Sequence, residues 1–173
     1  MSKNEFCRAV QAAIRDELEA ARMYKNLAFE APHVAIRARL MCFATEEKRH
    51  ARLLSCICPE AEPAHEMDPD CWNWPSDTME EDDLLESAWI PMPPESPSEP
   101  MPPFPPDEEF ARGIAMALES EVHAIGEYAE LAMMAPNPQA REALLCIQND
   151  EIYHKISLEF IQSVIMWNGP ENC

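Results

Sequence analysis

Four stretches of this chain carry apolar residues at helical spacing, and each of the four stripes is interrupted midway by glutamate or by glutamate and histidine. The first stripe is Phe6, Val10, Ala13, Glu17, Ala20, Tyr24 and Leu27; the second is Leu40, Phe43, Glu47, His50 and Leu54. The third is Phe110, Ile114, Ala117, Glu121, Ala124, Tyr128 and Leu131; the fourth is Leu144, Ile147, Glu151, His154, Leu158 and Ile161. Steps of three and four residues keep a stripe on one helix face, so the acids occupy positions that should face a core. This constrains the fold more than any other feature of the sequence. Burying an uncompensated carboxylate costs several kcal/mol even after relaxation, and four in one core would forbid folding unless something neutralises them.

The four stripes form two copies of one unit. Glu47-Lys48-Arg49-His50 and Glu151-Ile152-Tyr153-His154 are both Glu-x-x-His and lie 104 residues apart. The same offset places Glu17 on Glu121, Tyr24 on Tyr128, Leu27 on Leu131, Ala31-Pro32 on Ala135-Pro136, Arg37 on Arg141 and Cys42 on Cys146. A repeat of about 50 residues is therefore present twice. Each copy supplies one lone glutamate and one Glu-x-x-His, whose carboxylate and imidazole share a helix face one turn apart. Protonation or buried cationic side chains are alternative ways to neutralise the acids, but no Lys or Arg lies in the stripes, which hold only two histidines. Four carboxylates, two neutral imidazoles and two divalent cations sum to zero charge, which makes metal the better compensation.

The sequence predicts an all-α chain: an antiparallel four-helix bundle of two repeated hairpins. Residues 1–58 form the first hairpin, with Ser2 and Glu5 as a capping box and Pro32 in the first turn of the second helix. Residues 107–173 form the second, with Asn137-Pro138 capping the fourth helix and Gly169-Pro170 ending it. Residues 59–106 hold 13 of the 17 prolines and read as an acidic crossover. Within it, residues 76–90 form a candidate short helix, and Trp72 and Trp74 are candidate anchors. Related hairpins make the second and third helices parallel, so the crossover must travel the length of the bundle, roughly 38 Å for about 25 residues at 1.5 Å each. Together the whole chain makes one domain with an insertion.

The net charge of −19 is concentrated in one interval. Between Arg52 and Arg112 there are 16 acids and no Lys or Arg, which leaves 16 acids against 13 bases elsewhere. Such a balance argues against nucleic acid and anionic membrane as partners. No leader peptide and no membrane span are expected. The seven cysteines are an odd number, expected as reduced thiols in a cytoplasm and mostly as small core residues. Cys56-Ile57-Cys58 is not a paired Cys-x-x-Cys. His33, His65 and His123 are expected at the surface, His123 pointing off the core face two positions after Glu121.

On these residues the chain resembles the ferritin-like superfamily, specifically its rubrerythrin and bacterioferritin branch, over about residues 5–57 and 108–166. A pair of Glu-x-x-His helices with one glutamate from each of two others is a known di-iron and di-manganese ligand set. The resemblance implies that Glu17 and Glu121 are terminal ligands, one per metal. Glu47 and Glu151 would bridge, and His50 and His154 would each complete one metal. Tyr24 and Tyr128 would hydrogen-bond ligand carboxylates, and Asp150 and Glu46 would accept from the outer nitrogens of His50 and His154. The chain departs from the family at Leu118, where rubrerythrins carry a further glutamate, and at Lys48, where a haem methionine would stand. No haem is expected. It also has no rubredoxin module, so the electron donor would be a separate rubredoxin-like protein, and its long crossover argues against a cage.

The function this implies is a dinuclear iron enzyme, with manganese or zinc as other candidate metals, that reacts with peroxide or dioxygen. Bridging glutamates would hold the metals roughly 3.5–4 Å apart, within reach of one O–O unit. A ferroxidase that handles iron, or a bundle that only binds metal, are the alternatives. A homodimer, with hairpins exchanged through the crossover or not, fits the length of the connection.

Overall fold

The computed structural model describes residues 3–58 and 108–166. They form four helices, with no strand among the described residues: α1 (Lys3–Glu30), α2 (Val34–Ile57), α3 (Glu108–Met134) and α4 (Pro138–Met166). Every glutamate and histidine of the four stripes is buried, as are all their apolar members except Ala20 and Ala124, which are half-buried. The stripes dictate the packing: α1 lies along α2 and α3 along α4, with further contacts between α1 and α3 and between α2 and α4. None of these helices is long and apolar enough to cross a membrane. The expected crossover with its 76–90 segment, Trp72 and Trp74, the Ser2 cap, His65 and the Gly169-Pro170 stop lie outside the described residues.

The turns differ in one detail from expectation. Pro32 precedes α2 instead of opening it, and His33 is the N-cap, its Nδ1 accepting from the Ala35 N–H at 3.1 Å. Pro32-His33 aligns with Pro136-Asn137, so the proline stands before the cap in both hairpins and the side-chain acceptor satisfies one of the orphan N–H groups of the first turn. In the second hairpin Asn137 plays this part, accepting from Ala140 N–H at 2.8 Å, as expected, with Pro138 as the first helical residue. Arg37 accounts for one repeated position: its guanidinium donates to Ala28 O in the last turn of α1 at 3.1 Å and to Ala31 O just beyond it at 3.4 Å.

Two apolar clusters fill the ends of the bundle. One holds Tyr24, Leu27, Leu40, Phe43, Phe110, Ile114, Leu158 and Ile161; the other holds Phe6, Val10, Leu54, Tyr128, Leu131, Leu144 and Ile147. The C-terminal end of α2 lies in the second cluster and the N-terminal end of α3 in the first, so the two ends that residues 59–107 join are far apart. Between the clusters lies a polar layer made by the interruptions in the stripes.

The cysteines correct the sequence reading. Cys7 and Cys58 form a disulfide with Cα atoms 5.5 Å apart. Cys56 is also disulfide-bonded, while Cys42 and Cys146 are exposed thiols. Antiparallel pairing sets residues equidistant from a turn side by side, and Cys7 and Cys58 stand at almost equal distances from the turn at 31–33. That geometry, which overall counting of cysteines ignores, brings them within bonding reach. The expectation of reduced thiols therefore fails for these residues, and a cytoplasmic location loses that support; the expectation that most cysteines are small core residues fails too, since of the five described only Cys58 is buried.

Candidate metal centre

The polar layer contains Glu17, Glu47, His50, Glu121, Glu151 and His154, each with 4% or less of its surface exposed. They fall into two groups, Glu17, Glu47, His50 and Glu151, and Glu47, Glu121, Glu151 and His154. In each group the ligand-type atoms lie within 4.8 Å of one another. The structure thus brings together all six residues singled out from the sequence.

The two Glu-x-x-His glutamates belong to both groups. His50 Nδ1 lies 3.0 Å from Glu47 Oε2 and 3.1 Å from Glu151 Oε1. His154 Nδ1 lies 3.1 Å from Glu47 Oε1 and 3.2 Å from Glu151 Oε2. Each of these carboxylates therefore offers one oxygen to each imidazole. Glu17 and Glu121 belong to one group each, Glu17 Oε2 at 3.5 Å from His50 Nδ1 and Glu121 Oε2 at 3.8 Å from His154 Nδ1.

The residues around the layer fix its orientation. Tyr24 donates from α1 to Glu121 on α3, and Tyr128 donates from α3 to Glu17 on α1. These crossed bonds also make α1 and α3 antiparallel. The outer nitrogens are held crosswise between α2 and α4: His50 Nε2–H donates to Asp150 Oδ2 at 3.2 Å and His154 Nε2–H to Glu46 Oε2 at 2.7 Å. A proton fixed on Nε2 leaves the Nδ1 lone pair of each neutral imidazole directed at the carboxylates, which is the tautomer that metal ligation needs.

Without metal the layer balances its own charge. Burial opposes a charge on His154, but Glu151, Glu46 and Glu47 around it outweigh this and push its pKa up to about 12. Burial likewise opposes charge on His50, and Asp150, Glu151, Glu17 and Glu47 raise its pKa well above the usual value. Burial acts to raise Glu47 and Glu151, yet hydrogen bonds from both histidines prevail, lowering Glu47 and taking Glu151 to about 2. Glu17 and Glu121 move the other way: burial, backed by Glu47, raises Glu17 to about 8, and burial, backed by Glu151 and Glu47, raises Glu121 to about 10. Burial and the facing carboxylates raise both tyrosines as well. At neutral pH two imidazolium ions thus face two carboxylates, and two glutamic acids stay protonated. Protonation and paired cations, which the stripes alone made look insufficient, hold the metal-free layer together.

The donor set fits divalent cations. Glu121 Oε2 is buried with no hydrogen-bond partner, and Glu47 Oε1 and Glu151 Oε1 accept no hydrogen bond either, each meeting an imidazole only in an ion-pair contact at 3.1 Å; a bound ion would complete all three. Oxygen and imidazole donors suit iron, manganese and zinc. Two dications in exchange for the protons on Glu17, Glu121, His50 and His154 leave the layer neutral. A cavity of about 500 Å³ between α1 and α3 opens onto Glu17, Glu47, Glu121 and Glu151. Asp16, Glu19, His123 and Glu127 also line it; His123 is exposed, as its spacing predicts.

Comparison of the chain with protein-family models, curated proteins and solved structures returns no match in any of the three.

Sequence reasoning missed one polar neighbour of the layer. Arg49 Nη2 donates to Asp150 Oδ2 at 2.6 Å. Its place one residue before His50, on an exposed face, gave no pattern signal.

Proposed function

We propose that this chain is a ferritin-like protein with a dinuclear metal centre, which loaded with iron reduces hydrogen peroxide or dioxygen in the manner of rubrerythrins. The observation that carries the reading is the division of Glu47 and Glu151, one oxygen toward each histidine, between two otherwise separate groups. Glu17, Glu47, Glu151 and His50 would hold one ion, and Glu47, Glu121, Glu151 and His154 the other. When bound, a pair of iron ions supplies two electrons, the number that cleaving a peroxide O–O bond consumes.

The chain's own residues have distinct parts in this reading. Tyr24 and Tyr128 hold one oxygen of Glu121 and of Glu17, which limits those carboxylates to fixed orientations. Asp150 and Glu46 keep the outer imidazole protons in place. The apolar clusters above and below exclude water from the ends of the layer. The cavity between α1 and α3 provides the approach for a small oxidant, and an electron donor such as a rubredoxin-like protein would have to restore the reduced state.

A second reading, iron handling by a ferroxidase, is favoured by one feature: the cavity is lined by the acids Asp16, Glu19 and Glu127 as well as the layer's own carboxylates, and acidic walls concentrate cations. The two readings separate under one experiment, in which anaerobically Fe(II)-loaded protein is given successive equivalents of hydrogen peroxide with a chemical reductant present. Repeated cycles of ferric absorption and its bleaching support peroxide reduction. A single oxidation followed by loss of iron from the chain supports iron handling. Loaded protein that never changes its absorption contradicts both.

A further inference from the structure

The repeat is almost symmetric about the polar layer. Glu17, Tyr24, Glu46, Glu47 and His50 have counterparts of like chemistry 104 residues later in Glu121, Tyr128, Asp150, Glu151 and His154. Among the positions that break the correspondence beside the layer, Phe43 against Ile147 and Arg39 against Ala143 included, Arg49, whose counterpart is Tyr153, is the one bonded to a carboxylate that holds a layer histidine. Arg49 donates to Asp150 Oδ2 at 2.6 Å, and this is the same oxygen that receives His50 Nε2–H at 3.2 Å. On the other half, Glu46 receives His154 Nε2–H at 2.7 Å. There the residue at the position of Arg49 is Tyr153, with Arg39 over its ring at 5.2 Å.

A carboxylate oxygen already engaged by a guanidinium has less negative charge to offer an imidazole N–H. The longer bond to His50 is the expected consequence. An imidazole whose outer N–H is held by a strong acceptor is the more basic metal ligand, and such outer partners alter metal affinity by about 10- to 100-fold. A guanidinium stands on each half, Arg49 at Asp150 and Arg39 over the Phe43 ring at 5.8 Å and the Tyr153 ring at 5.2 Å, so the asymmetry lies in the hydrogen bond to Asp150 and not in the charge alone.

We propose that the two metal positions are inequivalent and fill in order, the His154 position first, and that Arg49 is the positioning residue that sets the order. The inference rests on the dinuclear reading above.

The test is a calorimetric titration of the whole chain with Co(II) alone. Two steps are expected, separated by about tenfold in affinity. His50→Ala should remove the weaker step and His154→Ala the tighter one. Arg49→Gln, a change at an exposed position, should bring the two steps within about twofold by strengthening the weaker. Tyr153→Arg supplies the missing guanidinium beside Glu46 and should close the gap from the other side, by weakening the tighter step. Two indistinguishable steps in the unaltered chain, or a gap that Arg49→Gln leaves unchanged, would overturn the proposal while leaving the dinuclear centre standing. Absence of any Co(II) binding would overturn both.

Discussion

The hydroxyls of Tyr24 and Tyr128 reach across the bundle to Glu121 and Glu17, and each is buried with its acceptor. Tyr24→Phe should therefore leave a buried Glu121 oxygen unsatisfied and destabilise the metal-free protein by about 1–3 kcal/mol in a urea titration. An unchanged transition midpoint would mean that the bond contributes nothing. Tyr24, Glu46 and their partners were legible because the chain repeats: a lone Glu-x-x-His is common in an acidic sequence, but two copies at one offset, each with its own glutamate and tyrosine, are not. What escaped was the protonation of the layer. Stripes show that acids are buried, while the near-contact of His50 and His154 with both Glu47 and Glu151 depends on how four helices meet. Arg49 escaped for a related reason, since its acceptor lies on a different helix.

Among the elements, α2 and α4 meet through Phe43, Leu54, Leu144 and Leu158, all fully buried. The ring of Phe43 lies 4.3 Å from that of His154 and 5.3 Å from that of Tyr24, so it floors the polar layer. Phe43→Ala should cost about 3–5 kcal/mol, seen as a lowered midpoint of chemical unfolding. Asn137→Ala removes the cap of α4 and should cost about 1 kcal/mol by the same measurement. The Cys7–Cys58 bond closes a hairpin with 51 residues of sequence separation, and Cys7→Ser/Cys58→Ser, which leaves the Cys56 disulfide in place, should lower stability by about 4 kcal/mol through lost loop closure, read as a lowered midpoint of chemical unfolding. The helices themselves were readable to within a few residues from their stripes and from Asn137. His33 was not, because histidine is an uncommon cap. The disulfide lay hidden in a count of cysteines, although the hairpin's symmetry about its turn places those two abreast.

For the whole molecule, the polar layer sets how stability responds to pH. In metal-free protein, His50, His154, Glu17 and Glu121 have raised pKa values, so the stability tied to their protons is complete below their ordinary values and lost as pH rises. For Glu17 the loss extends from about pH 4.5 to about 8, and for Glu121 to about 10. Glu47, Glu151 and Asp150 are lowered, and their contribution is lost as pH falls below the usual carboxylate range. Chelated protein should therefore be most stable at mildly acidic pH and weaken through neutrality, as thermal melts at pH 5 and pH 8 would reveal. Divalent metal, which displaces those protons, should reverse the trend; equal melting points at the two pH values without metal would contradict the charge assignment. The central claim, that these six side chains hold two ions, is tested most directly by anaerobic equilibrium dialysis of the chain and of a Glu47→Ala/Glu151→Ala variant against Fe(II), with metal counted per chain. Two ions in the unaltered chain and loss of binding in the variant are predicted. Equal metal in both would show that the buried layer is not where the metal resides.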